Sequence, residues 1–150
     1  MKITVTPLSL EDREQWEKLY QGYAEFYQVP MDKNILETVW SWVFDESHKF
    51  YGIIAKDEEG AALGMMHFRE MPSPLRGKYV GFLDDLYVHP EYRGHGVVEA
   101  LFETLDKSAK SQDWPAIRWI TAENNYRGRS VYDKIAKKTH WLTYQMTVKE

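Results

Sequence analysis

One stretch of this chain combines side chains and spacing suited to chemistry: Leu83-Asp84-Asp85-Leu86-Tyr87-Val88-His89-Pro90-Glu91-Tyr92-Arg93-Gly94-His95-Gly96. It reads as a strand carrying two adjacent carboxylates, then a glycine-containing turn, then a helix. At a helix start the first backbone N–H groups lack intrahelical acceptors and point outward together. The helix dipole adds partial positive charge, so the turn suits a phosphate or pyrophosphate. Gly94 and Gly96 let the backbone approach such a group because no Cβ intervenes. A dinucleotide fingerprint needs a third glycine at position 99, which is Glu99. No Gly-Lys-Ser/Thr ending marks a nucleotide-hydrolase loop. Because strands alternate, Asp84 and Asp85 are expected on opposite faces of the sheet. The five histidines, at 48, 67, 89, 95 and 140, share no metal-ligand spacing, and no metal is expected.

The surrounding elements follow from periodicity and breakers. Ile3 to Val5 is a short strand ended by Pro7, and Ser9 with Glu11 and Asp12 marks a helix start. Trp16, Leu19, Tyr20, Tyr23, Phe26 and Tyr27 recur at helical spacing up to the break at Val29-Pro30. A second helix is predicted from Asp32 to Phe44. Strands are predicted from Phe50 to Ala55, from Leu63 to Glu70 and from Tyr79 to Val88, with Pro72, Pro74 and Gly77 in a loop between the last two. A helix from Val97 to Ser108, a strand from Ile117 to Ala122, a helix from Arg127 to Ala136 and a strand from Trp141 to Val148 complete the order. The strand–helix–strand step demands a parallel crossover, so the sheet is expected to be mixed, with helices on both faces.

Length and composition bound the function. With 150 residues, 43% of them hydrophobic, the chain has room for one core and reads as a single domain, 1–150. Its formal net charge of −4 argues against bulk nucleic-acid binding. It has no cysteine, which excludes disulfides, iron–sulfur clusters and a cysteine nucleophile. No stretch is apolar enough for a membrane span or a signal peptide, so a cytoplasmic location is expected. Charge is unevenly spread: residues 1–60 carry net −6, and residues 127–150 carry net +4.

Two segments together resemble the Gcn5-related N-acetyltransferase (GNAT) superfamily. Its first motif, Arg/Gln-x-x-Gly-x-Gly/Ala after a strand ending Leu-x-Val-x-Pro, is similar to Leu86-Tyr87-Val88-His89-Pro90 followed by Arg93 to Val98. Its second, Asn with a small residue three on, Tyr seven on and Lys two beyond, is similar to Asn125, Gly128, Tyr132 and Lys134. The resemblance implies an α/β GNAT fold over the whole chain: a mixed, mostly antiparallel sheet of about six strands flanked by about four helices. It implies acetyl-CoA as co-substrate, and Leu86, Tyr87 and Val88 would line the acetyl and pantetheine arm. Arg93, Gly94, His95, Gly96, Val97 and Val98 would hold the pyrophosphate, with Asn125 on the pantetheine arm and Arg127 or Arg129 on a phosphate. Tyr132 would protonate the departing thiolate, a role a neutral tyrosine can fill. Asp84 is the implied base or amine anchor, with Asp85 second, because Leu83-Asp84-Asp85 resembles the Leu-Glu-Asp of diamine (spermidine/spermine) acetyltransferases.

The departures from the pattern carry their own expectations. Val98 stands where the motif has Gly or Ala, which would crowd the helix start. Lys134-Ile135-Ala136-Lys137 replaces Lys-x-Gly-Phe, and one C-terminal strand stands where many members have a hairpin. A second copy of the chain supplying the missing strand would make a homodimer. The first helices would form the acceptor side, and their aromatics (Tyr20, Tyr23, Tyr27, Trp40 and Trp42) are expected to be mostly core packing, with some facing a cation. Arg69 or Arg76 would meet an acceptor's carboxylate. The implied activity is acetyl transfer to a primary amine, on a small amine or an amino-acid-like molecule, by direct attack. A non-catalytic acyl-CoA sensor and a protein or peptide N-acetyltransferase are the alternatives.

Overall fold

A computed structural model of the chain describes residues 1–149, which fall into two compact units, Met1–Trp119 and a second beginning at Ile120. The first unit runs β1 (Thr4–Pro7), a 3-10 turn (Leu10–Asp12), α1 (Arg13–Tyr27), α2 (Lys33–Phe44), β2 (Phe50–Lys56), β3 (Ala62–Ser73), β4 (Lys78–Val88), α3 (Val97–Gln112) and β5 (Ile117–Arg118). Its sheet has the order β1-β2-β3-β4-β5, antiparallel throughout except for the parallel β4–β5 pair. The parallel step is the one crossed by α3, as a right-handed crossover requires a helix-length connection.

Alternation along the strands builds two cores. Ile53, Ala55, Met66, Phe68 and Leu83 pack against Val97, Leu101, Leu105 and Ala109 of α3. One residue out of phase, Ile54 and Met65 meet Trp16, Leu19 and Tyr20 of α1 and Leu36, Val39 and Trp40 of α2. Each of the larger aliphatic side chains among these, fully buried, contributes about 1.5–3 kcal/mol. Local signals fix the helix ends. Asp12 accepts the Ser9 backbone N–H at 2.9 Å before α1, and its buried carboxylate pairs with Lys56 of β2. Asp32 accepts the Ile35 N–H at 2.9 Å to start α2, and Gln28 ends α1 in the left-handed conformation at φ 55°.

β3 is longer than its sequence suggests, β5 is shorter, and one expected strand does not form. Pro72 lies within β3, opposite Tyr79, rather than in a loop. β2 has ended by then, at Phe50 opposite Arg69, so β3 is an edge strand on that side and a missing N–H costs no ladder bond. β5 has only two residues where six were expected. Trp141 to Val148, expected as a strand, has no regular secondary structure, and its large apolar side chains are exposed. An isolated strand has no partner for its backbone groups, and propensity alone does not form one. Among its described residues the second unit therefore holds one helix, α4 (Tyr126–Ile135), followed by irregular chain. Among the described residues no helix is long and apolar enough to cross a membrane, and no cluster of His, Asp and Glu is fit to hold a metal.

Candidate active site

The site begins with a break in a ladder. His67 of β3 pairs with Asp85 of β4, but the next residue, Phe68, pairs with Leu83, leaving Asp84 as an extra residue on β4. A bulge of this kind bends the strand and re-aims a side chain. As a result Asp84 and Asp85 line one pocket, contrary to the alternation expected for adjacent strand residues. The pocket has a volume of about 460 Å³ and is also lined by Tyr20 of α1, Val39 and Trp42 of α2, His48, Phe50 and Arg69.

The two carboxylates have opposite surroundings. Asp85 Oδ2 accepts from the Tyr20 hydroxyl at 2.9 Å and lies 2.8 Å from His67 Nδ1. Burial works to raise the Asp85 carboxyl, but hydrogen bonds from His67, Tyr23 and Tyr20 outweigh it and hold it below the usual range. The same burial and the charge of Asp85 push the Tyr20 and Tyr23 hydroxyls upward, so both stay protonated donors. Asp84 Oδ2 is buried without a hydrogen-bond partner. Arg69 Nε stands 3.2 Å from it, off the line of a hydrogen bond. Burial is the largest influence on Asp84, and with the Asp85 charge it outweighs Arg69 and raises the carboxyl to about 6. A carboxylate held there is poised to take a proton near neutral pH.

On the other side of β4 the sheet opens. The β4–β5 ladder has only the pairs Gly81–Ile117 and Phe82–Arg118, so Leu86, Tyr87 and Val88 pair with β3 alone. Their other edge offers backbone groups to an extended ligand. The strand ends in the Arg93–Gly96 turn, where Gly94 and Gly96 have φ of 81° and 86°, values that a Cβ would strain, and nothing stands within 4 Å of where a Cβ would point. Gly96 caps α3. The first return bond runs from Ala100 N–H to Gly96 O, so the N–H groups of Val97, Val98 and Glu99 have no intrahelical acceptor. These features fit the pyrophosphate and pantetheine arm of CoA. The Val98 side chain is half-buried and packs against the core beneath α3. The Arg93 guanidinium lies over the rings of Phe26 and Tyr87, at 5.5 and 6.0 Å, and His95 is exposed with Nδ1 3.0 Å from Arg93 O.

In the second unit the Asn125 motif has a local structural reason. Its Oδ1 accepts the Gly128 N–H at 3.2 Å and its Nδ2 donates to Thr121 Oγ1 at 2.9 Å, capping α4. A Cβ at position 128 would meet Asn125 Nδ2 at 2.5 Å, which explains the small residue three positions on. Arg129 donates to Glu123 O at 2.7 Å, Arg127 is exposed, and Tyr132 is half-buried on α4.

Sequence reasoning missed His67, Trp16 and the tyrosine pair as parts of one network. Of the aromatics assigned to packing, Trp40 is buried as expected, whereas Tyr20 and Trp42 also line the pocket. Arg69 reaches the pocket; Arg76 instead sits in the β3–β4 turn, 3.4 Å from Ser73 Oγ. The signal for His67 is its i, i+2 phase with Met65 in the otherwise apolar stretch 62–68, which marks a polar side chain facing the α1 core.

Comparison with known proteins gives the family of this chain. Residues 14–136 match the model of the acetyltransferase (GNAT) family. The chain is 30% identical over 145 residues to the D-amino-acid N-acetyltransferase HPA3 of Saccharomyces cerevisiae, covering 96% of this chain and 90% of that protein. It is 27% identical over 150 residues to the thialysine N-epsilon-acetyltransferase of Caenorhabditis elegans, covering 96% and 89%. The aminoglycoside N-acetyltransferase AAC(6')-Iy, solved with CoA, shares the fold at a TM-score of 0.85 and 15% identity, over 97% of this chain and 95% of that one. The bulged strand, the open β4 edge, the glycine turn and the family match together make this chain a member of the acetyltransferase (GNAT) family, an acetyl-CoA-dependent N-acetyltransferase.

Proposed function

We propose that the chain acetylates the amino group of a free amino acid or a close analogue, by direct attack of the amine on the thioester. One observation carries this reading: the pocket beside the bulge places a carboxylate, Asp84, next to a half-exposed guanidinium, Arg69. That pair matches an acceptor carrying both an ammonium and a carboxylate. A plain diamine has nothing to offer Arg69, so the diamine specificity suggested by Leu83-Asp84-Asp85 is the weaker reading. The names of the yeast and nematode relatives, which specify amino-acid acceptors, support the choice.

When bound, acetyl-CoA supplies the acetyl group as an activated thioester. Leu86, Tyr87 and Val88 hold its arm along the β4 edge, and the amides from Gly94 to Val98, with Arg93, meet its pyrophosphate. Asn125 and Arg127 or Arg129 would bond CoA as well, as the motif match implies. Arg69 orients the acceptor through its carboxylate. Asp84 takes the proton that the ammonium must lose before its nitrogen can form the new amide bond. Tyr132 gives its proton to the sulfur as the carbon–sulfur bond breaks, and the second proton that the nitrogen sheds as the amide forms passes through solvent to restore the tyrosine. Because the family match runs from residue 14 to 136, across both units, the whole chain is read as one catalytic domain. The exposed alternation of Leu142, Tyr144, Met146 and Val148 supports a homodimer in which a second copy covers that face. Sedimentation would then give a mass of two chains.

The test is CoA release from acetyl-CoA with a panel of L- and D-amino acids, their amides, diamines and short peptides, alongside Tyr132→Phe. Release should depend on the acceptor, favour amino acids over their amides, and fall about 100-fold or more in the variant. CoA binding without release for any acceptor would favour a sensor instead.

A further inference from the structure

His67 is fully buried, on the side of β3 that faces α1, and neither the family motifs nor the acetyl-transfer steps above give it a role. Its surroundings settle its proton. Trp16 Nε1 stands 2.9 Å from His67 Nε2, and an indole nitrogen can only donate. Nε2 must therefore accept, and the ring proton lies on Nδ1, from which it is donated to Asp85 Oδ2 at 2.8 Å. Tyr20 places its own hydroxyl on the same oxygen at 2.9 Å and packs edge-on against the imidazole, with ring centres 4.8 Å apart. Phe50 covers the ring from β2 at 5.4 Å. The chain Trp16–His67–Asp85–Tyr20 thus ties α1, β3 and β4 together. It ties them at the ladder pair that borders the bulge, since His67 faces Asp85 in register and Asp84 is the extra residue immediately before it.

We propose that His67 is a positioning residue: locked as the Nδ1–H tautomer by Trp16, it staples Asp85 as a fixed carboxylate and thereby sets the direction and proton affinity of Asp84. The logic parallels a buried carboxylate that fixes a histidine tautomer in a catalytic triad, with the roles of holder and held exchanged. The inference rests on the reading of Asp84 as the proton acceptor. The charged and titratable groups facing that acceptor are Arg69 and His67 from β3, Asp85 from β4, Tyr20 from α1 and His48 at the pocket wall. Of these, Asp85 is the carboxylate that both His67 and Tyr20 bond on one oxygen, so its place and its ionised form are held by two donors.

Two variants and one spectrum test the proposal. His67→Leu removes both ring contacts. His67→Asn keeps an N–H donor close to the place of Nδ1 and gives up only the acceptor for Trp16. The expected result is a fall in kcat of about 10-fold or more for His67→Leu, with the KM for acetyl-CoA unchanged and the acidic limb of the rate profile displaced. His67→Asn should recover most of kcat and restore the limb. A role confined to packing would lower the melting temperature of both variants while leaving kcat and the limb of the folded protein as in the wild type, which overturns the proposal. Nitrogen-15 NMR of the histidine-labelled wild-type protein decides the matter if a variant fails to fold. A proton on Nδ1 alone at neutral pH is expected for one histidine, identified by its protection from solvent exchange; a proton on Nε2, or on both nitrogens, overturns it. If no amine is acetylated at all, the amino-acid reading fails while the tautomer result still reports on the staple.

Discussion

Asp84 and Asp85 are neighbours in the sequence and share a pocket, yet the fold treats them as different chemical groups. Asp85 is given donors: His67 and Tyr20 both bond to one oxygen, and the carboxyl is held below its usual range although it is largely buried. Asp84 is given burial without donors, an off-axis guanidinium and a negative neighbour, and is raised to about 6. The difference teaches that a bulge does more than turn a side chain. By placing both carboxylates on one face, it lets the ionised one raise the proton affinity of the other. Acid–base assignments often follow from such a division of labour between paired titratable groups.

The comparison breaks first at the rate. Asp84→Asn should lower kcat/KM by about 10²–10⁴ with acetyl-CoA affinity unchanged, measured by CoA release and calorimetric titration. If Asp85→Asn produced that loss while Asp84→Asn stayed active, the roles would be reversed. Next comes stability. Asp85→Asn should cost about 2–3 kcal/mol in urea unfolding at neutral pH, because charged hydrogen bonds inside the fold are lost. Since its carboxyl is lowered in the folded state, that advantage is present above the ordinary carboxylate range and is lost as pH falls below about 4, where the two proteins should converge.

Smaller effects sharpen the picture. Arg69→Gln should raise KM for acceptors bearing a carboxylate by about 10–100-fold, the worth of one charged hydrogen bond, while amides of the same acceptors move much less. Equal effects on both would remove Arg69 from acceptor recognition. The smallest expected change is a gain. Asp84→Asn should stabilise the fold by about 1 kcal/mol above pH 6, a figure already reduced for solvent screening. The sign follows from the raised carboxyl: the wild-type fold favours protonated Asp84, so the penalty is absent below about 4, grows as pH rises from there and is complete above about 6. Thermal melts of both proteins at the two pH values check it.

The glycine turn and the acceptor pocket were not equally legible in the sequence. The turn is local: strand, glycines at φ 81° and 86° and helix start lie within about one dozen residues, and each leaves its mark at a fixed spacing. The mixed sheet, the parallel crossover and the two-sided helix packing followed from periodicity. The pocket is non-local, built from α1, α2, β2, β3 and β4. Nothing in Leu83-Asp84-Asp85 reveals a bulge, because a register shift is a property of the pair, and its cause lies some 17 residues upstream near His67. For that reason alternation misplaced the aspartates. Trp141 to Val148 failed for the opposite reason: its local pattern is that of a strand, but pairing requires a partner.

The most direct test of the account is the pH dependence of kcat/KM for the acceptor in the wild type and in Asp84→Asn. That ratio reports the ionisation of the free enzyme's essential groups. The wild type should lose activity about tenfold per pH unit below about 6, and the residual activity of Asp84→Asn should lack that limb. A limb near 6 that persists in Asp84→Asn, or a variant as fast as the wild type, would contradict the assignment of Asp84 as the proton acceptor.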